Sequence, residues 1–435
     1  MSLRLISFVA TLFFALPSAF AVPAIQQATL SNGLSVLLME AHNVPMLAMK
    51  LTLPAGSAFD AKGKGGSATL LAGMLTDHTA VHEHVSWADL LDADALKLSA
   101  AAGNDTMGLS LMVLKDALNP GLDALAEVVL RPGWDKKRFS IMQQDTLAAA
   151  RKEKEEPGVQ AAEAAAGLLY GEHPYGHRPN GSIKSLAAVG VKDLKRLYSR
   201  QVKPVGAVLA VSGDITMDEL LPLLEARLSS WQGKPALTLV DIPQPEAVVG
   251  LHVDVEMPTS QTLVRLTRFG PARSDVDFFP AFVLNHLLGG GGFGSRLMEE
   301  VREKRGLVYG VYSYFSPLAV PGPFVVTLQT RGDQAAEAEA VVRSVLGELA
   351  DGKISKAQLK ASKANLMGSF AQRMDSNRER VGLISMIGIY GLPLDYLSRW
   401  TEHVDAVSLA EVRAQAKRFL KPETWNRVRV GAGLN

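Results

Sequence analysis

The sequence predicts an α+β protein of two matching domains, each a sheet covered by helices. Three observations carry this expectation. The 435 residues are 47% hydrophobic and 20% charged, which is apolar material for two or three cores rather than one. The stretch Trp231 to Glu246 holds three prolines and no helical period, so 233–248 reads as an extended linker between domains at 22–232 and 249–435. On either side of it the same order of elements recurs, as a duplicated architecture requires.

In the first domain the apolar run Met46 to Leu53 reads as a strand, followed by a small-residue loop and a helix from about Gly66 to Leu75. A second strand is expected at Met107 to Leu114, then helices at Leu122 to Leu130 and from about Asp135 to Lys154. The second domain repeats this with a strand at Leu263 to Arg268 and a helix at Phe279 to Leu288. A later strand at Phe324 to Gln329 precedes helical spacing over Ala335 to Leu349 and Ser355 to Phe370.

The chain begins Met1-Ser-Leu-Arg4, continues through an apolar run from Leu5 to Leu16, and reaches small residues at Ala19 and Ala21. That pattern reads as a secretory signal peptide, with the mature chain expected to begin near Val22, and the run is shorter than the roughly 20 residues of a membrane span. Residues 1–21 contain one charge, Arg4, so cleavage takes the formal charge from +1 to 0. A neutral chain offers no global field for nucleic acid or for anionic membranes. There is no cysteine, which excludes disulfides and thiolate metal sites. An exported protein without cysteine suits a bacterial periplasm, and no stable membrane insertion is expected once the leader is removed.

The run Gly289-Gly-Gly-Gly-Phe-Gly-Ser-Arg-Leu-Met-Glu-Glu-Val-Arg-Glu-Lys-Arg-Gly-Leu-Val-Tyr309 lacks the Gly-Lys-[Ser/Thr] of a phosphate loop and fits no dinucleotide fingerprint. It resembles the second-half signature of the pitrilysin/insulinase metallopeptidases. The segment Leu169 to Gly181, with His173-Pro-Tyr-Gly176, and the strand Val205 to Asp214 are similar to further parts of that family. The resemblance implies two homologous domains forming half of a clamshell, which closes with a second chain around a peptide.

Active members of that family place His-x-x-Glu-His on the first helix of the first half. Two histidines at i and i+4 share a helix face and bind zinc, while the glutamate holds the attacking water. In Gly65-Gly-Ser-Ala-Thr-Leu-Leu-Ala-Gly-Met-Leu75 the framework matches and the ligands do not. Thr69 and Gly73 stand where the histidines would be, and Ala72 stands at the glutamate. The third ligand, a glutamate on a later helix, should fall near Ala148 to Ala150, with Glu153, Glu155 or Glu156 as looser candidates. The expectation is that this chain binds no metal or other cofactor and cannot hydrolyse peptides alone.

The resemblance also implies a retained asset. Arg302 and Tyr309 match the pair that the second half of the clamshell lends to a catalytic site in trans. An arginine there can donate to substrate carbonyls, and a phenol can hydrogen-bond the scissile oxygen as charge develops. The expected partners are a homologous zinc-binding peptidase subunit and unfolded peptides. In such chambers a peptide adds to a sheet edge by main-chain hydrogen bonds, and Leu53 to Phe59 is the segment expected to supply that edge. If the strand after Tyr309 is regular, Tyr312 and Tyr314 face away from Tyr309.

Two rival readings stand beside this one. The first is a scaffold or peptide-binding protein with no catalytic role, as in family members that became subunits of respiratory complexes. The second is a self-sufficient metallopeptidase with relocated ligands, for which His78, His82 and His84, with Asp77 and Glu83 among them, are the candidates. Their spacing is that of a solvated loop.

Overall fold

The computed structural model describes residues 22–434; the leader segment, on which the export expectation rests, lies outside the described residues. The first half forms a six-stranded sheet from β1 (Gln26–Thr29), β2 (Ser35–Glu40), β3 (Met46–Leu53), β4 (Lys97–Ala102), β5 (Met107–Leu114) and β6 (Val208–Gly213). The second forms a five-stranded sheet from β7 (His252–Glu256), β8 (Gln261–Phe269), β9 (Val311–Phe315), β10 (Pro323–Arg331) and β11 (Asn426–Gly431).

The strand orders are β1-β2-β6-β3-β5-β4 and β7-β11-β8-β10-β9. Without β1, the first maps onto the second strand for strand. In each sheet the last strand inserts between the first two, parallel to one and antiparallel to the other. The fold is therefore α+β with one topology used twice.

The expected helices form with shifted ends. The first spans Ser67–Asp77, and Leu118–Leu130 begins a turn before its expected start. Asp135 and Ser355 cap the helices Lys136–Glu153 and Lys356–Gly368 by accepting from Arg138 N at 2.7 Å and from Gln358 N at 3.1 Å. The helix Phe278–Asn285 ends three residues short of the expected Leu288 and passes into a wider π turn, His286–Gly290, at the start of the glycine run.

On its outer face the first sheet packs Leu47, Met49, Leu51 and Leu53 against Leu70, Leu71, Met74 and Leu75 of the first helix. Its inner face is covered by the other half. Leu37, Met39, Ala48, Val208 and Ala210 bury against Ile384 and Ile387 of the helix Asn377–Ile389. The exchange is reciprocal, because Ala161 and Ala165 of the helix Pro157–Tyr170 pack on Val428, Val430 and Leu263 of the second sheet. Strands buried on both faces read as continuous apolar runs rather than alternating ones, as β2, β3 and β6 do.

Polar contacts secure the crossing: Thr52 and Ser385 hydroxyls lie 2.5 Å apart, and Asn377 Nδ2 donates to the Met46 carbonyl at 3.2 Å. Gly388 sets how closely the helix approaches, since a Cβ there would lie 2.7 Å from both Leu37 Cδ1 and Val208 Cγ1. Gly388→Leu should therefore push the helix off the sheet and lower stability by about 1–3 kcal/mol, read as a shifted urea midpoint. An unchanged midpoint would mean that the halves are not locked here.

Each covering helix leaves the far strands of its sheet open. On the first sheet these are β5 and the edge strand β4, where Lys50, Ser99, Ser110 and Gly108 line a shallow hollow. On the second they are β10 and the edge strand β9.

Candidate functional site

The first helix starts after Gly66, whose φ of 94° places it in the left-handed region that favours glycine. No side chain at the cap position serves the free amides. Asp60 does so from six residues upstream, accepting from Gly66 N and Ala68 N, each at 2.9 Å. Burial pushes the Asp60 carboxyl up to about 7 against the opposing pull of those amides. In the unfolded chain the same acid ionises near 4. Between these values the folded state holds the extra proton, so the Asp60 contribution to stability falls as pH rises from about 4 to 7 and is flat above. The melting temperature of the wild-type chain, measured relative to Asp60→Asn, should decline over that window; a difference curve level with pH would sink this assignment.

One turn into the helix the three motif positions have been repacked. The Thr69 hydroxyl donates to the Pro179 carbonyl at 2.8 Å, tying the helix to the His-Pro-Tyr-Gly turn region. Ala72 is buried in the first core. Above Gly73 the space is filled by Met142, whose sulfur would lie 2.7 Å from any Cβ placed there. Met142 belongs to the helix Lys136–Glu153, on which the third ligand was expected. That helix presents Ala148, Ala149 and Ala150 in the expected stretch, and Ala150 is buried. Glu153, the looser candidate at the end of that helix, is ion-paired with Arg178. A threonine bonded elsewhere, an alanine, a glycine under a thioether and a paired glutamate do not fit a zinc ion.

His78 and His84 both approach Asp77 while His82 turns to Glu127, and of the three only His78 departs from the expected solvated loop, His82 being half-buried and His84 exposed. His78 is buried, with Nδ1 2.8 Å from Asp77 and Nε2 accepting from Asp135 N at 3.1 Å. His82 Nδ1 lies 2.8 Å from Glu127, and His84 opens the helix His84–Ala93 with Nδ1 3.0 Å from the Asp77 carbonyl. Burial would raise the Asp77 carboxyl, but bonds from Arg138, at 2.6 and 3.0 Å, and from His78 outweigh it and hold it below its ordinary value. Among the described residues no group of three or more His, Asp or Glu side chains is arranged to hold a metal.

Arg302 and Tyr309 lie on the second half. Arg302 sits in the π-helical segment Met298–Glu303 with its guanidinium carbon 4.7 Å from the centre of the exposed Phe293 ring. Tyr309 is 89% exposed. It precedes β9, so the alternation of that strand does not govern it. Tyr309 and Tyr312 line the same shallow hollow over Thr327 and Gln329 of β10, contrary to the expected opposition. Tyr314, on the strand face of Tyr312, accepts from Arg265 at 2.7 Å. The expected peptide edge is corrected as well: Leu53 to Ser57 is buried and turns into the short helix Ser57–Phe59. The edge strands of the first sheet are β1 and, on the open side, β4.

A family model described as "Insulinase (Peptidase family M16)" matches residues 35–166, and one described as "Peptidase M16 inactive domain" matches 188–366. The crystal structure of a peptidase M16 inactive domain from Pseudomonas fluorescens superposes with a TM-score of 0.89 at 31% identity, covering 94% of this chain and 98% of that one. The chain belongs to peptidase family M16. Among M16 relatives, a Helicobacter pylori protein named non-peptidase homolog YmxG is 26% identical over 397 residues, 89% of each chain. An uncharacterized zinc protease of Mycobacterium leprae is 24% identical over 411 residues, 90% of this chain and 88% of its own length.

As an M16 chain, this protein keeps the scaffold around the inverted motif while lacking the side chains that the motif supplies. The residues at the three motif positions are read from the sequence itself. That reading missed Met142, whose only signal was a large thioether eight residues before Ala150 on the helix expected to carry a ligand.

Proposed function

We propose that this chain is the non-catalytic subunit of a two-subunit zinc peptidase, enclosing unfolded peptides and lending Arg302 and Tyr309 to the partner's active site. The observation that carries the reading is an asymmetry within one chain. The metal helix is repacked around Thr69, Ala72, Gly73 and Met142, whereas Tyr309 stands in solvent with no packing role. A phenol that buries nothing is free to face a second subunit. The open faces of β5/β4 and β10/β9 give the half-chamber two walls, and the β4 edge offers unpaired main-chain groups to an extended peptide. The leader sequence supports a periplasmic location for this assembly. Zinc belongs to the partner.

The test is reconstitution. The mature chain alone should cleave no peptide and hold no stoichiometric zinc. Mixed with a homologous subunit bearing His-x-x-Glu-His, it should yield zinc-dependent cleavage that neither gives separately. Zinc-dependent cleavage by the lone chain would overturn the reading. The name of the Helicobacter pylori relative favours a second one, a peptide-binding scaffold, under which substitutions at Arg302 and Tyr309 leave the partner's activity untouched.

A further inference from the structure

The second half contains a cavity of about 390 Å³ that none of the preceding roles uses, within the size range of small-molecule sites. Phe278, Phe282, Tyr396 and Trp400 supply aromatic walls, and two arginines, Arg273 and Arg373, line it with them. The Arg273 guanidinium carbon lies 5.2 Å from the centre of Phe278 and 6.0 Å from that of Tyr390. That of Arg373 lies 5.8 Å from Phe282 and 5.7 Å from Trp400. Trp400 is itself fixed by stacking on Phe370, 4.4 Å away and nearly parallel.

What the cavity lacks is negative charge. No aspartate or glutamate lines it. Elsewhere Arg138, Arg343 and Arg429 each face a carboxylate within 2.6–2.8 Å, but among the described residues neither Arg273 nor Arg373 has an ion-pair partner. The Nε of Arg273 is buried and makes no hydrogen bond. Burial lowers the Arg273 guanidinium from its ordinary value, yet an arginine keeps its charge at neutral pH. Ring faces offset part of the desolvation cost of a cation, but they leave the in-plane N–H donors free. A planar, two-oxygen acceptor is the group that matches them.

We propose that this cavity binds a carboxylate on an apolar, preferably aromatic, body, held between Arg273 and Arg373. The shared chemistry has two sources, a free organic acid or the C-terminal residue of a peptide. The pocket is built from the second half alone, so the proposal stands independently of any partner subunit.

N-acetyl-L-phenylalanine and its amide, titrated into the full mature chain with calorimetric and tryptophan-fluorescence readout, form the first arm. The acid should bind at least about tenfold more tightly than the amide, because only it can use both guanidiniums. Arg373→Gln, at an exposed position that should not disturb folding, should erase that preference, and Arg273→Gln should do so if its circular dichroism remains native. A heptapeptide ending in phenylalanine, as free acid and as amide, forms the second arm. Tighter binding of the peptide acid than of the small acid assigns the peptide terminus, and the reverse assigns free acids. Equal binding of acid and amide, no binding by the acid up to roughly 10 mM, or a full preference retained in folded Arg373→Gln would each overturn the proposal.

Discussion

Tyr309→Phe should lower kcat of the reconstituted peptidase by about a hundredfold while leaving the unfolding midpoint of the isolated chain unchanged. Removal of one hydroxyl that donates to a developing oxyanion costs about 2.7–4 kcal/mol of transition-state stabilisation. Removal of the same hydroxyl from a side chain that is 89% exposed and makes no hydrogen bond among the described residues costs the fold nothing measurable. The two readouts therefore separate a catalytic loss from a structural one. Arg302→Ala should act differently, raising KM more than it lowers kcat, because a guanidinium donating to substrate carbonyls binds ground and transition states alike. Steady-state kinetics on a fluorogenic peptide measures both. An unchanged kcat for Tyr309→Phe would assign the chain to the scaffold reading.

Asp105→Ala should be the most destabilising single substitution among those considered, at about 3 kcal/mol or more, since each buried donor left unpaired costs about 1–3 kcal/mol. Asp105 is 2% exposed in the turn between β4 and β5 and gathers three donors. The Tyr175 hydroxyl donates to Oδ1, and Oδ2 accepts from the Tyr390 hydroxyl at 2.7 Å and from Ala319 N at 2.8 Å. Burial first, and then the adjacent carboxylate, push both phenols above their ordinary value, so they stay protonated and able to donate. Removing the carboxylate leaves two buried hydroxyls and an amide without partners. Tyr390 and Ala319 belong to the second half, so the loss also loosens the junction between halves. Asp105→Asn keeps the shape and acceptance at one oxygen and should recover a large part of the deficit. A loss below about 1 kcal/mol for Asp105→Ala in urea unfolding would show that water replaces the carboxylate.

The parts that could be read from the sequence are those fixed by local pattern. The runs Met46 to Leu53 and Met107 to Leu114 become strands over those same spans, because apolar character over eight residues leaves few alternatives in a half-buried chain. The residues at Thr69, Ala72 and Gly73 were equally legible, since alanine and glycine carry no ligand atom and a threonine hydroxyl is a poor zinc ligand. The histidines at 78, 82 and 84 were not. Glu127, beside His82, and Asp135, which donates to His78, lie on other elements, so spacing along the chain did not show that His78 is buried. The side on which Tyr309 lies failed for a related reason: alternation assumes a strand, and the strand starts two residues later, at Val311.

By itself, then, the sequence determined the fold class, the identity of Thr69, Ala72 and Gly73 on the first helix and the presence of Arg302 and Tyr309. Each follows from residue identity or from periodicity within one element. Only the tertiary structure decided that each half lays a helix on the other's sheet, that Met142 closes the space above Gly73, that β4 is an edge strand, and that Asp105 joins the halves. The Asp105 partners lie 70, 214 and 285 residues away. A contact at that separation is selected by packing of the whole chain, where an unpaired buried carboxylate is forbidden, and short-range pattern cannot name which donors will arrive.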